Sequence, residues 1–179
     1  WRRLEMAVAL GLGEGLAQET GQRLQLELLG MQARQPVLRC GPFAIFWQSL
    51  TAHYSAPPRE PSEQRVADIL AAYGLNVSAE RPDLVVVDEV AGRAVGIIEV
   101  KFHGGDNPAS RFREAVDQLV SYGRGYKVDP GGILGRSAVA MNTAVPVLQE
   151  PAPGVPAAFS FDDIVQGRLA PWIKARWLP

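Results

Sequence analysis

The stretch that most constrains this chain is residues 80–103, Glu-Arg-Pro-Asp-Leu-Val-Val-Val-Asp-Glu-Val-Ala-Gly-Arg-Ala-Val-Gly-Ile-Ile-Glu-Val-Lys-Phe-His. Two apolar runs rich in β-branched residues, Leu84–Val87 and Ala94–Val100, flank a short segment containing Gly92. That is the pattern of two buried strands joined by a turn. Asp83, Glu99 and Lys101 sit in or beside these runs, and charged side chains are rarely buried unless paired. Glu99 and Lys101 are two apart, so on a strand they share a face and Val100 points to the other. A three-residue loop over Val90–Gly92 pairs residues whose numbers sum to 182 and sets Asp83 opposite Glu99, with Cβ atoms roughly 5 Å apart. Two carboxylates that close repel unless a cation lies between them or one takes up a proton. Lys101 gives partial relief, and a divalent metal with oxygen ligands gives more. A two-residue loop would shift the register by one and separate the carboxylates.

Composition sets the outer bounds. The 179 residues suit one domain, or a core with a small appendage. A hydrophobic share of 47% with 21% charged residues is that of a globular protein. No apolar run approaches the length of a membrane span. The single cysteine, Cys40, excludes an internal disulfide and points to a reducing, cytoplasmic setting. A net charge of −1 advertises no basic surface, so any nucleic-acid binding must use a local patch. A start at Trp1 instead of Met reads as a piece of a longer chain or system.

Before the hairpin, residues 1–17 favour a helix with Trp1, Leu4, Val8 and Leu12 on one side and Gly11, Gly13 and Gly15 weakening its end. The glycine run follows a helix and lacks dinucleotide spacing, so a phosphate loop is not expected. Arg23–Leu29 alternates like a strand, and Pro36–Trp47 holds one or two more, broken at Gly41-Pro42. Cys40 and His53 lack a third group to orient them, and Cys40 reads as an ordinary buried cysteine. Ser55–Pro61 is the clearest linker.

Glu63–Tyr73 is an amphipathic helix with Ser62 as N-cap, Gly74 as stop and Val66, Ile69, Leu70 and Tyr73 as its apolar face. Glu63 lies on that stripe at its N-terminal end, either capping the helix or facing the acidic cluster. After Lys101, His103-Gly104-Gly105-Asp106 forms a loop, with His103 at the rim. Asn107 caps a helix Ala109–Tyr122 that opens on Pro108. Arg111, Gln118 and Tyr122 form a stripe along the margin of that helix's apolar face. Ser137–Met141 is a further buried strand. Fourteen prolines, many after residue 129, predict loops there, followed by a strand Phe159–Phe161 and a terminal helix near Asp162–Arg176. Trp172 and Trp177 are expected to pack on the body.

Pro82-Asp83 followed by Glu99-Val100-Lys101 resembles the Pro-Asp…(Asp/Glu)-x-Lys signature of the restriction-endonuclease-like nuclease superfamily. Glu-x-Lys alone is common on surfaces, and its weight here comes from both halves falling on buried strands. The plain alternative is an edge hairpin with a solvated Asp-Glu-Lys cluster. Gln118-x-x-x-Tyr122 resembles the motif of RecB-like nucleases, in which it follows the Lys strand and lines the substrate groove. Residues 63–77 resemble the first core helix and strand of the same superfamily.

The resemblance implies an α/β fold with an αβββαβ core, a mixed central sheet flanked by helices. The core lies in residues 59–145, after an N-terminal αβ extension, 1–58, and before C-terminal proline-rich loops and a helix, 146–179. It implies a Mg²⁺- or Mn²⁺-dependent nuclease acting on phosphodiesters, DNA above all, in restriction, defence or repair. Asp83 and Glu99, with the Val100 carbonyl, would hold the metal. Lys101 would act on the attacking water, and Glu63 would be the helix acid, with Glu5 its rival if Glu63–Tyr73 is an insertion. Gln118, Tyr122 and Arg111 would place the substrate phosphate. Two other classes stay open: a catalytically silent module of this fold that binds nucleic acid or a protein partner, and a metal-dependent hydrolase of nucleotides instead of polymers.

Overall fold

The computed structural model describes residues 2–27, 35–56, 59–75, 81–105, 107–126, 132–146 and 154–178. Seven strands form one sheet in sequence order: β1 (Leu24–Leu26), β2 (Leu38–Cys40), β3 (Phe43–Trp47), β4 (Leu84–Asp88), β5 (Arg93–Lys101), β6 (Ala138–Met141) and β7 (Ala157–Ser160). Strands β1 to β5 run antiparallel as a meander, and β6 and β7 continue the sheet parallel to β5. The helices are α1 (Arg2–Thr20), α2 (Pro61–Ala72), α3 (Pro108–Gly123), α4 (Phe161–Val165) and α5 (Leu169–Trp177). The fold is thus α/β, a mixed sheet between helical layers. No helix among the described residues is long and apolar enough to cross a membrane.

Alternation along β4 and β5 decides what each face carries. Leu84, Val86, Ile98 and Val100 pack with Leu4, Val8, Leu12 and Leu16 of α1 and with Leu169 and Ile173 of α5. Val85, Val87 and Ile97 pack on the other face with Ala115, Leu119 and Tyr122 of α3. By the same period, Glu99 and Lys101 belong to the α3 face.

The hairpin reaches the expected register by an unexpected route. Leu84 pairs with Ile98, Val85 with Ile97 and Val86 with Gly96, all summing to 182. At the turn end Val87 pairs with Ala94 and Asp88 with Arg93, because a β-bulge intervenes. The loop is therefore Glu89–Gly92, four residues instead of the three over Val90–Gly92. The extra residue of the bulge offsets the longer loop and returns the strands to the register that aligns the charges.

Helix α1 extends past its glycines to Thr20. The glycines do not end it; they let neighbours approach. A Cβ on Gly11 would stand 2.6 Å from Ile164 Cγ2, and one on Gly15 2.7 Å from Ile173 Cδ1. The predicted strand Arg23–Leu29 shortens to β1, and positions 28–34 lie outside the described residues. At the C-terminal end, the expected strand sits at Ala157–Ser160 and the terminal helix is two, α4 and α5. Trp177 is buried and donates to the Arg136 carbonyl at 2.9 Å, and Trp172 stacks edgewise on Trp177 and Phe159.

Residues 1–58, the N-terminal αβ extension, share sheet and core with the rest, since β3 pairs with β4 and α1 lies on the shared core. Two expectations about helices change. Helix α2 is not a core helix. Val66, Ile69 and Tyr73 are exposed and only Ala67 is buried. Its N-cap is Glu60, not Ser62. The strand expected after it falls largely on residues 76–80, outside the described set, and both neighbours of β4 in the sheet are already β3 and β5.

Candidate functional site

Asp83 stands immediately before β4. Its carbonyl accepts from the Gln48 N–H at 2.8 Å, which carries the β3–β4 pairing one step further. Its carboxylate Oδ2 accepts from the Val100 N–H at 2.8 Å. Val100, whose carbonyl is the expected metal ligand, thus also clamps Asp83 through its N–H. The Tyr122 hydroxyl donates to the Arg81 carbonyl at 3.2 Å and braces the segment leading into Asp83. Tyr122 is only 3% exposed, so it supports the site instead of presenting its hydroxyl outward.

Glu99 and Lys101 end β5, exposed by only 2% and 4%. Lys101 Nζ meets Glu99 Oε1 at 3.0 Å and Glu114 Oε1 at 3.3 Å, and also donates to Gln118 Oε1. An ammonium has three protons and so three directed partners, and these fix where the Lys101 charge sits. Gln118 is thus joined to the charged cluster through Lys101. Arg111 is not. It is half-exposed and bonds Glu114 Oε2 at 2.7 Å, one residue removed from Lys101.

A further buried acid, whose charge acts on Asp83, comes from α1. Glu5, in its first turn, is fully buried. One oxygen, Oε2, accepts from the Trp47 indole and from Gln48 Nε2 at 3.1 Å. The other, Oε1, is buried with no hydrogen-bond partner; Oε2 of Glu99 also has none at hydrogen-bond geometry, although the Asp83 backbone is near enough to Glu99 to favour its charged form. Native proteins seldom leave such atoms bare.

Glu63 was the expected helix acid, and it does not reach this cluster. It accepts from the Glu60 N–H at 2.9 Å and pairs with Arg124 at 2.5 Å, near the surface. The Glu60 N–H bond and the Arg124 side chain hold its carboxyl below the usual glutamate value. Glu63 and Glu5 both sit early on an apolar stripe; only Glu5 sits on a stripe that the sheet buries.

The buried acids are poorly compensated. Burial, opposed by the Val100 N–H and helped by the charge of Glu5, pushes Asp83 up to about 6. Burial and the neighbouring Asp83 push Glu99 up to about 8, against the pull of Lys101. For Lys101, burial works against the charge, but Glu99, Glu114 and Asp83 outweigh it and its pKa rises. Both acids thus hold a proton more readily than free carboxyls do, while Lys101 holds its own more tightly.

The donors suit a hard divalent cation, since carboxylate oxygens are what Mg²⁺ and Mn²⁺ take. Two of them are bare. Among the described residues, no three His, Cys, Asp or Glu side chains are gathered into a finished ligand cluster. Half of each acid is committed to protein donors: Asp83 to Val100, Glu99 to Lys101, Glu5 to Trp47 and Gln48.

Sequence reading missed Glu114, Trp47 and Gln48. Glu114 had a signal, being one turn before Gln118 and three after Arg111. The other two act across the fold and had none. His103 lies beyond β5, its backbone held at both ends by the Asn142 side chain. Cys40 is buried in the α1-side core, and His53 lines a separate hollow. That hollow, about 570 Å³ between Phe46, Leu50, His53 and Val87, contains none of the four site residues. An open groove of about 510 Å³ along α3, lined by Arg113, Glu114, Asp117 and Gln118, runs beside the partners of Lys101. No protein-family model matches the chain, and no curated protein or solved structure is significantly similar to it.

Proposed function

We propose that the protein is a metal-dependent nuclease of the restriction-endonuclease-like kind, hydrolysing phosphodiester bonds of nucleic acid, with DNA the favoured substrate. One observation carries the reading: Glu5, Asp83, Glu99 and Lys101 are all buried at one end of the sheet, and two carboxylate oxygens there have no partner. A structural ion cluster would be expected to satisfy its own atoms. The element order supports it as well, since α1, β3, β4, β5, α3 and β6 follow the αβββαβ sequence when β1, β2 and α2 are taken as insertions. That core uses α1 and β3, where the sequence suggested α2 and residues near 75–77.

Asp83 and Glu99 would hold the metal, and the charge of Glu5 acts on Asp83. Mg²⁺ characteristically keeps several waters and is bound by one or two carboxylates together with substrate phosphates, so a closed protein cage is not required. When bound, such a cation lowers the pKa of a water and offsets charge on the phosphate. Lys101 would stabilise charge as it builds on the phosphate oxygens, and would exchange one of its three present partners for the attacking water in order to orient it. Gln118 fixes Lys101, Tyr122 braces Arg81–Asp83, and Arg111 serves a flanking phosphate. The test is incubation with supercoiled plasmid, linear duplex and single strands, with Mg²⁺, with Mn²⁺ and with chelator. Metal-dependent cleavage is expected. Metal and DNA binding without cleavage would favour the silent module.

A further inference from the structure

We propose that Gln48 is a positioning residue that holds the Glu5 carboxylate with its free oxygen turned to the site. This rests on the reading of the acidic cluster as a metal centre. Gln48 follows the last residue of β3 and is the only non-glycine residue with positive φ among those described, at 45°. An L-residue resists that conformation, and glycine or asparagine is the usual occupant. Strain of this sort persists where the surroundings over-determine it, and it gathers at functional sites.

The bonds of Gln48 show what over-determines it. Its backbone N–H donates to the Asp83 carbonyl at 2.8 Å. Its side-chain Nε2 donates to Glu5 Oε2 at 3.1 Å. One residue therefore ties together the two acids that come from different layers, one preceding β4 and one from α1. The left-handed turn brings the side chain to Glu5 while the backbone still completes the pairing with Asp83. Trp47 donates to the same oxygen of Glu5 from the preceding position. Two donors on Oε2 and none on Oε1 give the carboxylate a fixed sense, its empty side left for a cation. Partners that orient a metal-binding carboxylate in this way typically govern affinity by about 10- to 100-fold.

The test compares Gln48→Gly with Gln48→Ala. Both remove the amide, but glycine accepts the positive φ and alanine does not. Three readouts apply: melting without metal, Mn²⁺ affinity by calorimetry, and the crystal structure of the metal-free Gly variant. Both variants should bind Mn²⁺ about 10- to 100-fold more weakly, while the Gly variant melts above the Ala variant. In the Gly variant's crystal structure the Glu5 carboxylate should leave its orientation or spread over several. Unchanged Mn²⁺ affinity in the Gly variant, or a Glu5 carboxylate that keeps its single orientation, overturns the proposal. If the unmodified protein binds no Mn²⁺, the metal-centre reading falls, and the Glu5 orientation in the Gly variant alone decides the role of Gln48.

Discussion

Metal-free protein should lose stability as pH rises through neutrality, the reverse of what ordinary paired carboxylates do. Glu99 has an ordinary value of 4.5 and is raised to about 8 in the fold, first by burial and then by Asp83. Between those values the folded protein holds a proton that the unfolded chain has released. A raised carboxyl therefore favours the fold fully below 4.5, and that advantage drains away as pH climbs through the folded value of about 8. One proton held only by the native state changes stability by about 1.4 kcal/mol per pH unit. From pH 6 to 8, with half of Glu99 already ionised at its folded value of about 8, the loss is about 2 kcal/mol, or a fall in Tm of roughly 4–8 °C for a chain of this size. Melting in chelator by circular dichroism across this range is the assay, with Glu99→Gln as control. The wild-type slope should be steep, and the Gln variant should be nearly flat. Added Mg²⁺ should flatten the wild-type slope too, because the cation replaces the proton held by Glu99. A wild-type Tm that stays level or rises from pH 6 to 8 in chelator would refute the buried, uncompensated acid pair.

Asp83→Asn should melt at or above the wild type in chelator at pH 8, because it removes the charge that repels Glu99, and it should lose Mg²⁺ binding in calorimetry. Glu5→Gln should weaken Mn²⁺ binding by at least 10- to 100-fold. Glu63→Gln should leave it unchanged and only lower Tm slightly through its capping role, and equal effects of the two on Mn²⁺ would reject Glu5 as the helix acid. Arg111→Ala should weaken DNA binding across all sequences and lower the salt slope by roughly one counterion in fluorescence anisotropy.

The site-bearing hairpin was legible because its information is local. Period-two alternation fixes which face Glu99 and Lys101 share, and the match of apolar runs fixes their partner strand. Even so, the expected three-residue turn was wrong and the register right, because a bulge made up the difference. The Arg111, Gln118 and Tyr122 stripe was legible on the same grounds, although Tyr122 proved to be a brace and Arg111 a step away. The choice between Glu5 and Glu63 was not legible. Each opens an amphipathic helix, and only packing decides which apolar stripe the sheet covers; α2 leaves Val66 and Ile69 in solvent, whereas α1 buries Val8 and Leu12 completely. Trp47 and Gln48 were invisible for a related reason. Their role depends on a bond across more than forty positions of sequence, and no local pattern encodes it.

Nicking of supercoiled plasmid in Mg²⁺, by wild type and Lys101→Ala side by side, tests the central claim most directly. Lys101 is held by Glu99, Glu114 and Gln118 beside the acids, so the variant should retain its fold by circular dichroism and still bind DNA. Its rate should drop about 100- to 1,000-fold, the typical loss for a transition-state donor, and chelator should abolish cleavage by the wild type. Cleavage at the wild-type rate by Lys101→Ala, or by the wild type in chelator, would contradict the assignment of this site.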